Sequence, residues 1–261
     1  MTAVRFAVAD QVMHITLDGP TSMNSLTPQA LDGMDAALDA AASSRSLRAI
    51  VVRGVGAVFC VGMDLDFLGD CWADPDGVFL PFTRRYHEVL SRLEELPVPS
   101  VAAVNGLARA GGLELLLACD FVIAADEARV ADTHREFGVV PGAGAAIRAA
   151  RKLGDQKARA LLLTGRWLTG PEMTQWGLAL TNAPLGQLDE EVKRLTDQLS
   201  GRSRPVTAAI KLALRSAADL PLDQALRVEH DLFARHLADA PDAAEGYHAF
   251  VDKRAPQWGD G

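Results

Sequence analysis

The sequence predicts an α/β fold in which stacked ββα or βα units form a core and a helical region follows. Three observations carry that prediction. Strand, loop and helix patterns recur after Ala49, the pattern is mostly helical from Ala143 onward, and two glycine-bearing turns each follow an apolar run that reads as a buried strand. With 261 residues, 49% of them hydrophobic, the chain has enough apolar material for one large domain or a domain with a small appendage.

Taken in order, Phe6 to Ala9 and Val12 to Leu17 alternate as paired strands around a turn. Residues 28–42 have helical spacing, with Thr27 placed as an N-cap, and a strand follows at Ala49 to Arg53. The segment 66–80 is rich in Asp, Gly and Pro and is expected to be an irregular, mobile loop over a pocket. A helix from about Pro81 to Glu95 is stopped by Pro97 and Pro99. Beyond it come a strand at Val101 to Val104, a short helix at Gly112 to Cys119 and a strand at Phe121 to Ala125. Gly154-Asp155 and Thr169-Gly170-Pro171-Glu172 mark helix starts, and the helices from Glu190 to Phe250 divide near Arg204-Pro205, Leu220-Pro221 and Ala240-Pro241. We therefore expect a core over 1–200 and a helical region over 201–261. The latter is too short to bury a core alone and should pack on the core or on a neighbouring subunit.

Composition narrows the function classes. The net charge of -8, with basic residues interspersed among acidic ones, offers no stripe for nucleic acid and no polybasic anchor for a membrane. No apolar run approaches a membrane span, and the N-terminus enters an alternating pattern without a signal-peptide block. Cys60, Cys71 and Cys119 are odd in number and lack metal-ligand spacing, which suits a reducing cytoplasm and argues against a structural metal. His230 and His236 do not share a helix face as a metal pair. No serine has a GxSxG setting, and Gly54-Val55-Gly56 lacks the third glycine of a dinucleotide loop.

The chemistry concentrates in two turns, Cys60-Val61-Gly62-Met63-Asp64-Leu65 and Asn105-Gly106-Leu107-Ala108-Arg109-Ala110-Gly111-Gly112-Leu113-Glu114. Together they can supply two backbone N–H groups to one oxygen, which is what holding a thioester carbonyl requires while its enolate forms. A glycine lets a ligand oxygen approach its N–H, and the helix that follows Gly111 points its positive end at the same spot. An isolated Gly-Gly is ordinarily a packing device; the setting favours the functional reading. Glu114 lies one helical turn past Gly111. A lone first-turn glutamate ordinarily complements the helix dipole, but Leu113, Leu115, Leu116 and Leu117 argue against a solvent-facing position. Partial burial would raise its pKa into the range useful for acid–base work.

These stretches resemble the enoyl-CoA hydratase/isomerase (crotonase) family. The resemblance runs from Leu17-Asp18-Gly19-Pro20 and Met23-Asn24-Ser25-Leu26, through Cys119-Asp120 and Pro141-Gly142-Ala143-Gly144, to Ala249-Phe250-Val251-Asp252-Lys253-Arg254. It implies a crotonase-like spiral of ββα units with the acyl-CoA site in the core, and a C-terminal helical trimerisation region. The expected assembly is a homotrimer or a dimer of trimers, acting on an acyl-CoA thioester and needing no cofactor. By position, the N–H groups of Met63 and Gly111 would form the oxyanion hole and Glu114 would be the first of a hydratase's two glutamates. Val61 and Met63 to Asp66 (Met63, Asp64, Leu65, Asp66) would line the thioester path, with Ser22 and Met23 near the CoA. Phe250 and Lys253 would approach the nucleotide, from a neighbouring subunit.

The sequence departs from that pattern at four positions. The position of the second hydratase glutamate, seven residues before Pro141, is His134. An imidazole titrating near pH 6.5 can serve as a base there, Asp132 or Glu136 can reach the site if the loop runs differently, and a structural histidine is an equal alternative. Asp66 replaces a basic residue, Arg109 a hydrophobic one and Ala110 the first glycine. Tyr86 and His87 fall on the helix that flanks the acyl pocket in the family, although an exposed helix-face histidine is the ordinary reading of His87. The leading expectation is an enoyl-CoA hydratase using Glu114 and His134. The alternatives are an isomerase, a C–C hydrolase or a decarboxylase of the same family, or a non-catalytic acyl-CoA-binding member.

Overall fold

After an N-terminal hairpin, successive strand pairs place one strand in each of two sheets. The computed structural model describes residues 2–19, 21, 23–239 and 242–259. Strands β1 (Ala3–Ala9) and β2 (Val12–Asp18) form an antiparallel hairpin. Its two-residue turn, Asp10 and Gln11, has both φ angles positive, the hand that matches strand twist. Met13, Ile15 and Leu17 of β2 are buried. Helix α1 (Pro28–Ser43) begins where Thr27 Oγ1 accepts from Ala30 N at 3.2 Å, and it buries Leu31, Met34 and Leu38 on one face.

The spiral follows: β3 (Ala49–Gly54), β4 (Val58–Cys60), α2 (Leu65–Ala73), a π-helical turn (Pro75–Phe79) and α3 (Leu80–Glu95). The next turn is β5 (Ser100–Val104), β6 (Leu107–Arg109) and α4 (Gly111–Ala118). Then come β7 (Phe121–Ala125), β8 (Arg129–Ala131), a 3₁₀ turn (His134–Phe137), α5 (Ala145–Leu153) and α6 (Asp155–Thr164). Strand β9 (Leu168–Thr169), α7 (Gly170–Trp176), β10 (Thr181–Ala183) and α8 (Leu188–Ser200) close the core, with Thr169 and Glu172 capping α7 reciprocally. One sheet has the order β1-β2-β3-β5-β7-β10 and is parallel from β2 onward; the other is β4-β6-β8-β9. Each ββ step thus places one strand in each sheet before a helix returns, which is the expected spiral.

Helices α9 (Arg204–Asp219), α10 (Leu222–Asp239) and α11 (Glu245–Val251) follow. Helix α9 packs against α10 and is tied to the core by Lys211, whose Nζ donates to Asp120 Oδ2 at 2.7 Å and to Val98 O at 3.1 Å. The same carboxylate oxygen accepts from Ser100 N and Oγ, so one acid holds the start of β5 and receives α9.

The expectation of an irregular loop over 66–80 is corrected. Asp64 accepts from Asp66 N and Phe67 N and so starts a regular helix, while Asp74 accepts from Gly77 N and starts the π-helical turn. The Asp, Gly and Pro content supplies caps to helices rather than breaking them.

Two buried asparagines bind the strand ends that carry the glycine turns. Asn24, at φ 55°, accepts from Gly19 N at 2.9 Å and donates to Val58 O at 2.8 Å and Val55 O at 3.1 Å. Asn105 accepts from Gly54 N at 3.1 Å and donates to Gly56 O at 2.7 Å and Val58 O at 3.2 Å. Asn105→Ala strands the buried Gly54 N–H, and we expect a loss of about 1–3 kcal/mol, read as a lower urea midpoint. An unchanged midpoint would show that the pinning is energetically idle.

Candidate active site

The first glycine turn is clamped from one side only. Leu26 N donates to Gly62 O at 2.7 Å and Asp64 N donates to Leu26 O at 3.0 Å, so Leu26 forms a one-residue parallel bridge with Met63. Such a bridge uses the groups flanking Met63 and turns its own N–H to the opposite side. Gly62, at φ +85°, lies against Gly111: a Cβ at position 62 would sit 2.8 Å from Gly111 N, and one at Gly111 would sit 3.2 Å from Gly62 Cα. Only two residues without Cβ atoms can bring these segments together and leave the Gly111 N–H uncovered. Among the described residues neither the Met63 nor the Gly111 N–H has a hydrogen-bond acceptor.

Gly111 is oriented from two directions. Tyr86, buried on α3, donates from its hydroxyl to Gly111 O at 2.6 Å. The preceding Ala110 has φ 46° and ψ -116°, a conformation that favours glycine and costs about 1–3 kcal/mol for other residues. That strain is what the geometry of the Gly111 peptide requires here.

Glu114 is only 2% exposed. Its Oε1 accepts from Ala143 N at 2.8 Å and Ala145 N at 3.2 Å, which leaves Oε2 for other work. Burial pushes its pKa up, and the downward pulls of His134 and of the two N–H groups do not offset that. Oε2 lies 3.9 Å from His134 Nε2, and His134 Nδ1 lies 2.5 Å from Oδ1 of Asp132, itself 2% exposed. Burial would push the imidazole down, but the Asp132 bond and the Glu114 charge outweigh it and the net direction is up. Asp132, His134 and Glu114 therefore form a line of three ionisable groups at the end of β8 and the start of α4. A single water can reach both Glu114 Oε2 and His134 Nε2 at about 2.8 Å.

Glu114 and His134 open onto a cavity of about 270 Å³ that also meets Gly111, Met63 and Val61. Its walls are mostly apolar: Leu65, Leu68, Phe79, Leu80, Phe82 and Phe137 from α2, the π-helical turn, α3 and the 3₁₀ turn. Tyr86 and Arg109 line it as well. His87, the other possible pocket residue on that helix, does not: one residue on from the inward-facing Tyr86, the helix turns it out to solvent, the ordinary reading of its position. Asp64 and Asp66 also lie outside the lining. The Asp64 carboxylate caps α2 and accepts from Ser25 Oγ at 2.8 Å, and Asp66 is exposed. Met23 is partly exposed at φ 52° away from the lining, and Ser22 lies outside the described residues. Phe250, 83% exposed, and Lys253 lie on or just after α11 and do not meet this chain's cavity. Glu136, the alternative acid, is exposed.

A family model described as enoyl-CoA hydratase/isomerase matches residues 8–261. The chain is 32% identical over 245 residues to a probable enoyl-CoA hydratase of Mycobacterium bovis, covering 94% of this chain and 93% of that one. It is 31% identical over 240 residues to the mitochondrial methylglutaconyl-CoA hydratase of Rattus norvegicus, covering 90% and 75%. The crystal structure of an enoyl-CoA hydratase from Polaromonas sp. JS666 matches with a TM-score of 0.93 at 32% identity, over 98% of this chain and 100% of that one. In sequence and in the course of its crotonase-fold spiral, this chain belongs to the enoyl-CoA hydratase/isomerase family of acyl-CoA-processing enzymes.

Proposed function

We propose that this enzyme adds water to a 2-enoyl-CoA thioester through an enolate. The observation that carries the reading is the convergence of two unengaged N–H groups, at Met63 and Gly111, with two proton-handling side chains, Glu114 and His134, on one cavity. The thioester oxygen would accept from both N–H groups, and losing one such donor typically costs roughly 3 kcal/mol in the transition state. The acyl chain would lie among the apolar residues of α2 and α3, along a path past Val61, Met63 and Leu65. The hydratase names of the relatives support this reaction over the isomerisation that the family also covers.

In the reaction we infer, Glu114 Oε2 takes a proton from the bridging water as its oxygen bonds to Cβ. The electrons of the double bond pass to the thioester oxygen, and the enolate then takes a proton at Cα from His134 Nε2. Glu114 is left protonated and His134 neutral. The next water entering between them returns the proton to His134, so the cycle needs no cofactor beyond the CoA of the substrate.

The remaining parts of the reading concern assembly. Ile210, Leu214, Leu222, Leu226 and Phe233 are exposed on α9 and α10, which supports association of the 201–261 region with neighbouring copies as a trimer or a dimer of trimers. Phe250 and Lys253 would then meet the CoA nucleotide of a neighbour, with Met23 near the CoA.

Two outcomes are expected. Glu114→Gln should lower turnover of a 2-enoyl-CoA at least about 10²-fold, followed as loss of conjugated enoyl absorbance. Unchanged turnover in that variant sinks the assignment, and a product without added water mass points instead to the isomerase. The working form has Glu114 ionised and His134 protonated. Activity should therefore fall as pH drops through a Glu114 value above the ordinary 4.5, and as pH rises through a His134 value above the ordinary 6.5. The pH profile of kcat/KM reads both limbs.

A further inference from the structure

We propose that Asp132 is a positioning residue of this site, whose buried carboxylate accepts from His134 Nδ1–H and so aims Nε2 at Glu114 and the acyl group as the proton donor to Cα. This inference rests on the hydration reading for its chemistry, though its geometry stands on separate ground. Asp132 Oδ1 lies 2.5 Å from Nδ1, a direct hydrogen-bonding contact with no room for an intervening water, and the residue is 2% exposed. The same oxygen lies 3.5 Å from His134 N, so one acid holds both the ring and the backbone that carries it. A carboxylate buried to that degree, with its histidine the only side chain within bonding distance among the described residues, is costly unless the imidazole carries charge or a fixed proton.

The consequence for the proton inventory is direct. A carboxylate only accepts, so Nδ1 must carry a proton in both states of the ring. Nε2 is then the single position at which His134 changes protonation: N–H before the transfer to Cα, a lone pair after it, and N–H again once the proton returns from Glu114 by way of water. The groups facing the ring are Asp132 from the end of β8 and Glu114 from α4. Arg109, whose β6 residue pairs with Ala131, and Tyr86 from α3 line the same cavity. Both acids near the ring favour its charged form, and the buried Asp132 makes the shorter contact. Asp132 acts only through His134 and touches no reacting atom.

The test combines two measurements. In wild-type protein labelled with ¹⁵N at histidine, and assigned against His134→Gln, the neutral ring should be the Nδ1–H tautomer; an Nε2–H tautomer would overturn the proposal without any variant of Asp132. Asp132→Asn should shift the alkaline limb of kcat/KM to lower pH by about 1–3 units, since an opposite charge has been lost, and should lower kcat near neutral pH with little change in KM. Asp132→Glu should restore part of that limb, and in a His134→Gln background Asp132→Asn should have no further effect on kcat. A wild-type pH profile in Asp132→Asn, or additive losses in the double variant, would refute the role. Should wild-type protein fail to hydrate any enoyl-CoA, the hydration reading falls while the tautomer measurement still decides the position of the ring.

Discussion

The approach of the backbone at Gly62 to the backbone at Gly111 is the constraint on which the rest of the site depends. A Cβ at position 62 would come within 2.8 Å of Gly111 N, so the two segments can meet only as glycines. The neighbouring structure maintains that meeting. Leu26 bridges the far side of Met63, the Tyr86 hydroxyl holds the Gly111 carbonyl, and Ala110 takes a conformation normally left to glycine. Asn24 and Asn105 fix the strand ends behind the turns by satisfying the same Val58 carbonyl from two directions. Polar side chains used on loop geometry in this way fix the two turns without a flexible side chain, and preorganised donors, as proposed for Met63 and Gly111, need no rearrangement when charge develops.

Around that fixed pair, burial sets the acid–base character. Glu114 sits among leucines on α4, and its ionised form is tolerated because the loop that follows Val140 and the first residue of α5 each lend it an N–H group. Arg148 steadies that loop by donating to Ala143 O while its guanidinium forks onto Glu94 of α3. Glu114, the proposed proton-handling residue, is thereby connected to the helix that also supplies part of the cavity wall. Packing of α3, α4 and α5 therefore bears on the site as directly as the residues that line it.

Much of this was legible in the sequence. Thr27, the proline stops and the Thr169–Glu172 pair are local signals, each decided within four residues, and they mark helix boundaries because capping is a short-range interaction. The glycine turns and Glu114 could be read for the same reason: Gly111 and Glu114 share one helical turn. What could not be read depends on loop geometry or on distant partners. The segment 66–80 has the composition of a loop, and only the hydrogen bonds from Asp64 and Asp74 show that its acids cap helices. Asp132 precedes His134 by two residues, and whether its carboxylate meets the ring depends on the 3₁₀ turn that starts there. The partners of Glu114 at Ala143 and Ala145 lie 29 and 31 residues away, and no pattern in the sequence announces them.

The separation of Glu114 and His134 also constrains stereochemistry. A group that attacks or protonates a planar unsaturated acyl chain sits about 3–3.5 Å above its plane, so two groups on opposite faces would be roughly 6–7 Å apart. Oε2 and Nε2 are 3.9 Å apart. In the hydration proposed above, hydroxyl and hydrogen delivered by this pair would arrive on the same face, giving syn addition. The walls that decide which face of the acyl chain is turned towards them therefore also decide the handedness of the product.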